Sequence, residues 1–184
     1  LGKTLGIEVR KLRPNGGTFC IKSERPDSPN HGDRMRGILD GLTRDGQDQN
    51  KWINMDGCPN YSYGDDERST QQVARLLGTT GLDIVFVTGG GPQFKPEKYR
   101  KLIEPFKNDL KTGKLVFANI DTIPAQIEYL KEGISTVNVG QRPYEMGKWS
   151  IKILKMLTDG KIPPLIIYTG VTICTQKNAD TCTK

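Results

Sequence analysis

No run in this 184-residue chain approaches the roughly 18 uninterrupted apolar residues that a membrane-spanning helix needs, and hydrophobic residues make up only 35% of it. The start also lacks a basic stretch followed by an apolar one, and Leu1 stands where an initiator methionine would. The expectation is therefore a processed or truncated product. Histidine is nearly absent. His31, beside Gly32 in a turn, is the single one, so no multi-histidine metal site or His-based triad can be assembled, and H-E-x-x-H does not occur. The four cysteines, Cys20, Cys58, Cys174 and Cys182, lack C-x-x-C spacing, which argues against structural zinc and against a thioredoxin-type pair.

Other signatures are missing too. Asp65-Asp66-Glu67 lacks the spacing of a calcium loop and reads as the first turn of a helix, where the dipole favours acids. Gly89 to Gly91 is not followed by the Lys-Ser/Thr of a phosphate-binding loop and lacks the spacing of a dinucleotide fingerprint. The net charge of +6 comes from 27 basic and 21 acidic residues with no block of five like charges, so a solvated basic surface is the reading and no nucleic-acid partner is expected. Neither catalysis, nor a metal, nor a cofactor finds support.

What is present is an alternation of short β-branched runs with amphipathic helical segments. That pattern predicts an α/β fold, a mostly parallel sheet flanked by helices and built from right-handed βαβ units. A helix over Gly2 to Leu12 stops before the turn Pro14-Asn15-Gly16-Gly17, and a strand follows at Thr18 to Ile21. A loop from Arg25 to Asn30 leads to a helix carrying Met35, Ile38, Leu39 and Leu42. Next come a strand at Trp52 to Met55, a polar loop at Gly57 to Asp66 and a helix at Ser69 to Leu77. Ile84 to Val87 is continuously apolar, as expected of a central parallel strand buried on both faces. A charged helix begins near Pro96 and breaks at Pro105.

Strands follow at Leu115 to Asn119 and Thr136 to Val139, separated by a helix from Ile123 to Lys131. A helix from Pro143 to Leu157 then precedes two short strands, Leu165 to Tyr168 and Val171 to Cys174. Trp52 and Trp149 read as core. Cys20 and Cys174 lie in apolar strands, where a buried inert thiol competes with a disulfide; four cysteines allow three pairings, which stay open.

Three motifs in the last third carry a resemblance: Asp121-Thr122-Ile123-Pro124, Gly140-Gln141-Arg142-Pro143-Tyr144-Glu145-Met146-Gly147 and Thr169-Gly170-Val171-Thr172. Together they resemble the C-terminal half of a periplasmic sugar-binding protein of the ribose-binding type, a type I periplasmic binding protein. The resemblance implies that residues 1–141 form one Rossmann-like lobe and that 142–168 supply a helix and strand of the other, N-terminal lobe. Residues 169–184 are the return strand and tail. It also implies export to a periplasmic or extracellular compartment, where disulfides persist.

The same resemblance nominates ligand residues. Arg34, in Asp33-Arg34-Met35-Arg36-Gly37-Ile38, is similar to the family's R-x-x-G arginine, and its fork of donors suits adjacent sugar oxygens; Arg36 and a plain surface arginine are the alternatives. Asp121 would accept hydroxyl hydrogen bonds, or else cap the helix at Pro124. Gln141 would both donate to and accept from a hydroxyl, or serve as a hinge residue bonded to backbone. Gly89 and Gly90 stand where the family often has Asn-Asp. Their backbone N–H groups are candidate contacts, as an anion-binding nest or merely a flexible turn. Tyr63, with Tyr61, lies in the loop expected to supply a ring that packs on a sugar.

By this resemblance the whole protein captures a small sugar for an ABC-type importer, its membrane partner being a permease or receptor. It closes about a hinge near Gln141 and Thr169 to Gly170. The alternatives are an input domain for a kinase or chemoreceptor and, behind it, the effector-binding core of a transcription regulator. The apolar face of the Pro143 to Leu157 helix would need cover: its own lobe, a second copy by swapping in a homodimer, or a retained N-terminal fragment.

Overall fold

Seven strands and seven α-helices alternate along the chain in the computed structural model, which describes residues 1–183. In chain order they are α1 (Gly2–Leu12), β1 (Gly17–Ser23), α2 (Pro29–Thr43), β2 (Trp52–Asn54), β3 (Asn60–Tyr61), α3 (Asp66–Leu77), β4 (Ile84–Val87) and α4 (Pro96–Ile103). After these come α5 (Lys107–Lys111), β5 (Val116–Ile120), α6 (Pro124–Glu132), β6 (Val137–Gly140), α7 (Pro143–Thr158) and β7 (Thr172–Thr175). The sheet runs β2-β1-β4-β5-β6-β7, with β3 also paired to β1. Every pairing is parallel except that of β7, which lies antiparallel on β6. This is the expected α/β architecture.

Alternation along the strands distributes side chains to two cores. Phe19, Ile21, Ile84, Phe86, Val116, Ala118, Val137 and Val139 face α1 and α2, where Leu5, Val9, Ile38 and Leu42 complete one apolar layer. Cys20, Val85, Val87 and Phe117 face the opposite way, onto Val73, Leu76 and Leu77 of α3, Tyr99 and Ile103 of α4 and Tyr129 of α6. All four residues of β4 are buried, the signature of a central parallel strand.

Helices α1 and α2 cross backbone to backbone through glycines. A Cβ on Gly2 would collide with the carbonyl oxygen of Arg34, one on Gly6 with that of Ile38, and one on Gly41 with that of Lys3. A Cβ on Gly37 would sit 2.8 Å from the Lys3 nitrogen. Gly37, the glycine of the Arg34 motif, is thus a packing residue.

Strands β2 and β3 are two halves of one interrupted edge. β2 pairs with Gly17 to Phe19 and β3 with Lys22 and Ser23, while residues 55–59 between them belong to neither strand. The Cys20–Cys58 disulfide ties this connection to β1, and Cys174–Cys182 ties the tail to β7; no free cysteine remains among the described residues. This settles the pairing that sequence left open and replaces the inert-thiol reading of Cys20 and Cys174. The polar loop is shorter than expected, because β3 lies within it and Asp65 already caps α3, its carboxylate accepting from the Arg68 N–H at 2.9 Å.

Three expectations are corrected. Leu165 to Tyr168 is not a strand: it runs without a partner, and Leu165 is 98% exposed. Trp149 is not core, since α7 buries none of its residues and the Lys152 ammonium lies 4.6 Å from the indole ring. For the same reason α7 does not dock on its own lobe. Trp52, by contrast, is buried.

Two outcomes are expected. Gly6→Ala or Gly41→Ala drives a methyl into a helix backbone and is expected to lower stability by about 1–3 kcal/mol or more, read as a fall in the urea midpoint; an unchanged midpoint contradicts the crossing. Chain-entropy reasoning assigns roughly 4 kcal/mol to the disulfide that closes a separation of 38 residues and about 2.5 kcal/mol to the one that closes 8. Paired serine replacements at Cys20/Cys58 should therefore lower the midpoint more than those at Cys174/Cys182.

Candidate functional site

The polar candidates sit where a parallel sheet presents its strand ends, just beyond the carboxyl termini of the central strands. Thr88 and Gly89 follow β4, Asp121 follows β5, and Gln141 follows β6; Arg34 comes from the first turns of α2, over the end of β4. Asp121 has a φ of 84°, in the left-handed region that non-glycine residues rarely adopt. A buried polar chain holds it there. The Asn119 amide donates to Ser135 Oγ (3.1 Å), Ser135 Oγ to Asn138 Oδ1 (2.9 Å), and Asn138 Nδ2 to the Asp121 carbonyl (3.0 Å). The Asp121 N–H donates to the Val139 carbonyl at 2.9 Å.

The Asp121 carboxylate consequently faces Gln141, whose Nε2 donates to Oδ1 at 3.4 Å. Both line a cleft of about 830 Å³ with Thr122, Arg142, Tyr144 and Thr172, where Cys182 and Thr183 of the tail form part of the rim. The local geometry is plain at both residues. Helix α6 starts from Ile123 with Gln126 closing its first turn, so Asp121 is not its cap, and the amide of Gln141 bonds a side chain rather than backbone.

Arg34 does not line that cleft. Its Nη1 donates to the Thr88 carbonyl at 2.7 Å, and its Nε is buried without a partner. Beside it stands His31, which sequence reasoning set aside. Its Nδ1 lies 2.7 Å from Thr88 Oγ1, and Thr88 Oγ1 is 3.0 Å from Ser23 Oγ. Burial, and then the Arg34 charge, lower the His31 pKa below its usual 6.5. Beneath them Lys22 is fully buried, bonded to Glu24 Oε1 at 3.0 Å and Ser62 Oγ at 2.9 Å. Desolvation depresses its pKa although Glu24 opposes the shift.

The glycines act through space rather than through backbone conformation. None of Gly89, Gly90 and Gly91 has a positive φ, so they do not form a nest of alternating handedness. A Cβ on Gly89 would lie 3.4 Å from His31 Cε1 and 3.8 Å from Arg34 Nη1; one on Gly90 would press into the Phe94 ring at 2.6 Å. Gly90 therefore belongs to the packing under Phe94. Tyr63 is 57% exposed, has a φ of 59°, and carries the Arg68 guanidinium 5.5 Å from its ring centroid. The structure thus brings Asp121 to Gln141, and Arg34 to Gly89, leaving Gly90 and Tyr63 in contacts of their own. No cluster of three or more metal-ligating side chains occurs among the described residues, and none of their helices is long and apolar enough to cross a membrane.

A profile described as "Periplasmic binding protein domain" matches residues 1–162. Among solved structures, the chain is similar to a sugar-binding protein of a sugar ABC transporter from Bacillus halodurans, with a TM-score of 0.78, 21% identity and coverage of 98% of this chain and 62% of that one. It is also similar to a solute-binding protein of an ABC transporter from Burkholderia graminis in complex with D-arabinose, at TM-score 0.74, 23% identity, and coverage of 100% and 61%. A third match is a chain of a XylFII-LytSN complex, at TM-score 0.73, 15% identity, and coverage of 97% and 67%. No curated protein matches significantly. The chain spans about three fifths of the length of the first structures it matches.

The apolar side of α7 has a measurable consequence. Ile151, Leu154 and Leu157 are each more than half exposed, a surface of the kind that marks interaction sites. Replacing all three with serine is expected to change the unfolding free energy of this polypeptide by no more than about 1 kcal/mol in urea titration, because each is more than half exposed. A large loss of stability would show that α7 is docked.

Proposed function

The chain belongs to the family of periplasmic binding protein domains, and from that premise we propose that it is one lobe of an exported solute-binding protein that captures a small sugar for an ABC-type importer. The observation that carries this reading is the set of polar groups at the carboxyl end of the sheet. A guanidinium on α2, a carboxylate fixed in an unusual backbone conformation and an amide sit on separate elements with no nucleophile or metal cluster among them. Such a set suits a ligand of many hydroxyls, each of which both gives and takes a hydrogen bond: Arg34 only donates, Asp121 only accepts, and Gln141 does either. The D-arabinose named with one similar structure agrees in chemical class.

Half of such a clamp needs its counterpart. The exposed apolar side of α7 and the unpartnered segment through Leu165 suit seating on a second lobe, with closure about Gln141 and Gly170. The residue bounds expected for the two lobes belong to this proposal, as does export, which the two disulfides favour. One observation supports a second reading, in which ligand is reported to a signalling partner: a protein of the same fold is found in the XylFII-LytSN complex.

Calorimetry of the complete two-lobed protein against a panel of pentoses, hexoses and polyols tests the reading. Binding of at least one sugar is expected, with Arg34→Ala and Asp121→Ala each weakening it by about 10- to 100-fold, the range of a charge-assisted hydrogen bond. Absence of binding across the panel would overturn the proposal.

A further inference from the structure

We propose that His31 is a ligand contact that accepts a hydrogen bond from the sugar hydroxyl lying beside Arg34, in the space that Gly89 leaves open. The inference rests on the sugar-site reading above and adds to it a residue and a chemistry. His31 precedes Arg34 by three residues on α2, so the two share a face of the helix. Both are tethered to Thr88, Arg34 through the carbonyl and His31 through the hydroxyl, each at 2.7 Å. Imidazole and guanidinium flank the place where a side chain on residue 89 would begin. A longer side chain there would contest that space with the ring.

The hydrogen-bond network sets the role of each nitrogen. Thr88 Oγ1 donates to Ser23 Oγ, so it accepts from Nδ1–H of His31, and the lone pair is left on Nε2. Nε2 has no hydrogen-bond partner among the described residues and is not among their buried unpartnered atoms, so it keeps some exposure to solvent. Arg34 offers donors only, so an acceptor beside it complements the guanidinium. One hydroxyl can donate to Nε2 and accept from the guanidinium.

The groups that act on the ring come from several elements: Arg34 on α2, Lys22 on β1, Glu24 in the loop after β1, and Asp121 after β5. Burial comes first and Arg34 second, and both favour the neutral ring, so His31 is uncharged at pH 7. Protonation removes the Nε2 lone pair and places a cation beside Arg34. Affinity is therefore full above the ordinary histidine pKa and falls as pH drops through the lowered one.

Calorimetry of the complete protein at pH 5.0 and 7.5, with D-ribose, L-arabinose, D-xylose, D-glucose and D-galactose as probes, tests this. The wild type is expected to bind more weakly at the lower pH, and His31→Ala about tenfold more weakly than wild type at pH 7.5, the scale of one neutral hydrogen bond with its partner left unpaired. His31→Gln, whose amide oxygen still accepts, is expected to stay within about threefold of wild type and to lose the pH dependence. Binding by wild type with both variants matching its affinity and pH profile would overturn the role of His31 alone. Failure of the wild type to bind any of the five would overturn the sugar reading along with it.

Discussion

Contact between the backbones of α1 and α2 is the constraint on which the polar carboxyl edge of the sheet depends. Four glycines let the helices meet without intervening side chains, and the carbonyl of Arg34 lies directly against Gly2. Position along α2 is thereby fixed to within a fraction of a side chain. That position sets where His31 and Arg34 reach relative to Thr88 at the end of β4. The reach of two polar side chains to the end of β4 is thus registered by steric exclusion between the two helices.

The elements legible in the sequence are those whose own residues settle them. The periods of α1 and α7, the continuous apolar run of β4 and the acidic start of α3 each reflect a local or two-faced burial pattern. Two elements escaped because their partners decide them. β3 is only two residues long and exists by pairing with β1, beside a connection tied down through Cys58. Leu165 to Tyr168 has the composition of a strand and no neighbour to make it one. Strand propensity describes fitness for a pleated surface and does not create the surface.

The candidate site divides in the same manner. Arg34, Asp121 and Gln141 stand in short motifs whose spacing can be read. His31 has no motif: its meaning comes from Thr88, 57 residues away, and from the missing side chain at Gly89. The left-handed conformation of Asp121 was equally invisible, being imposed by the Asn119, Ser135 and Asn138 chain beneath it.

The interruption between β2 and β3 also governs what the sheet can do at its free side. A continuous strand over residues 52–61 would offer an unbroken row of unpaired N–H and C=O groups to any other extended chain. Split into pieces of three and two residues, with the stretch between them stapled to β1, that border offers little length over which a foreign strand could zip. The break in regular structure is a guard against edge-to-edge aggregation.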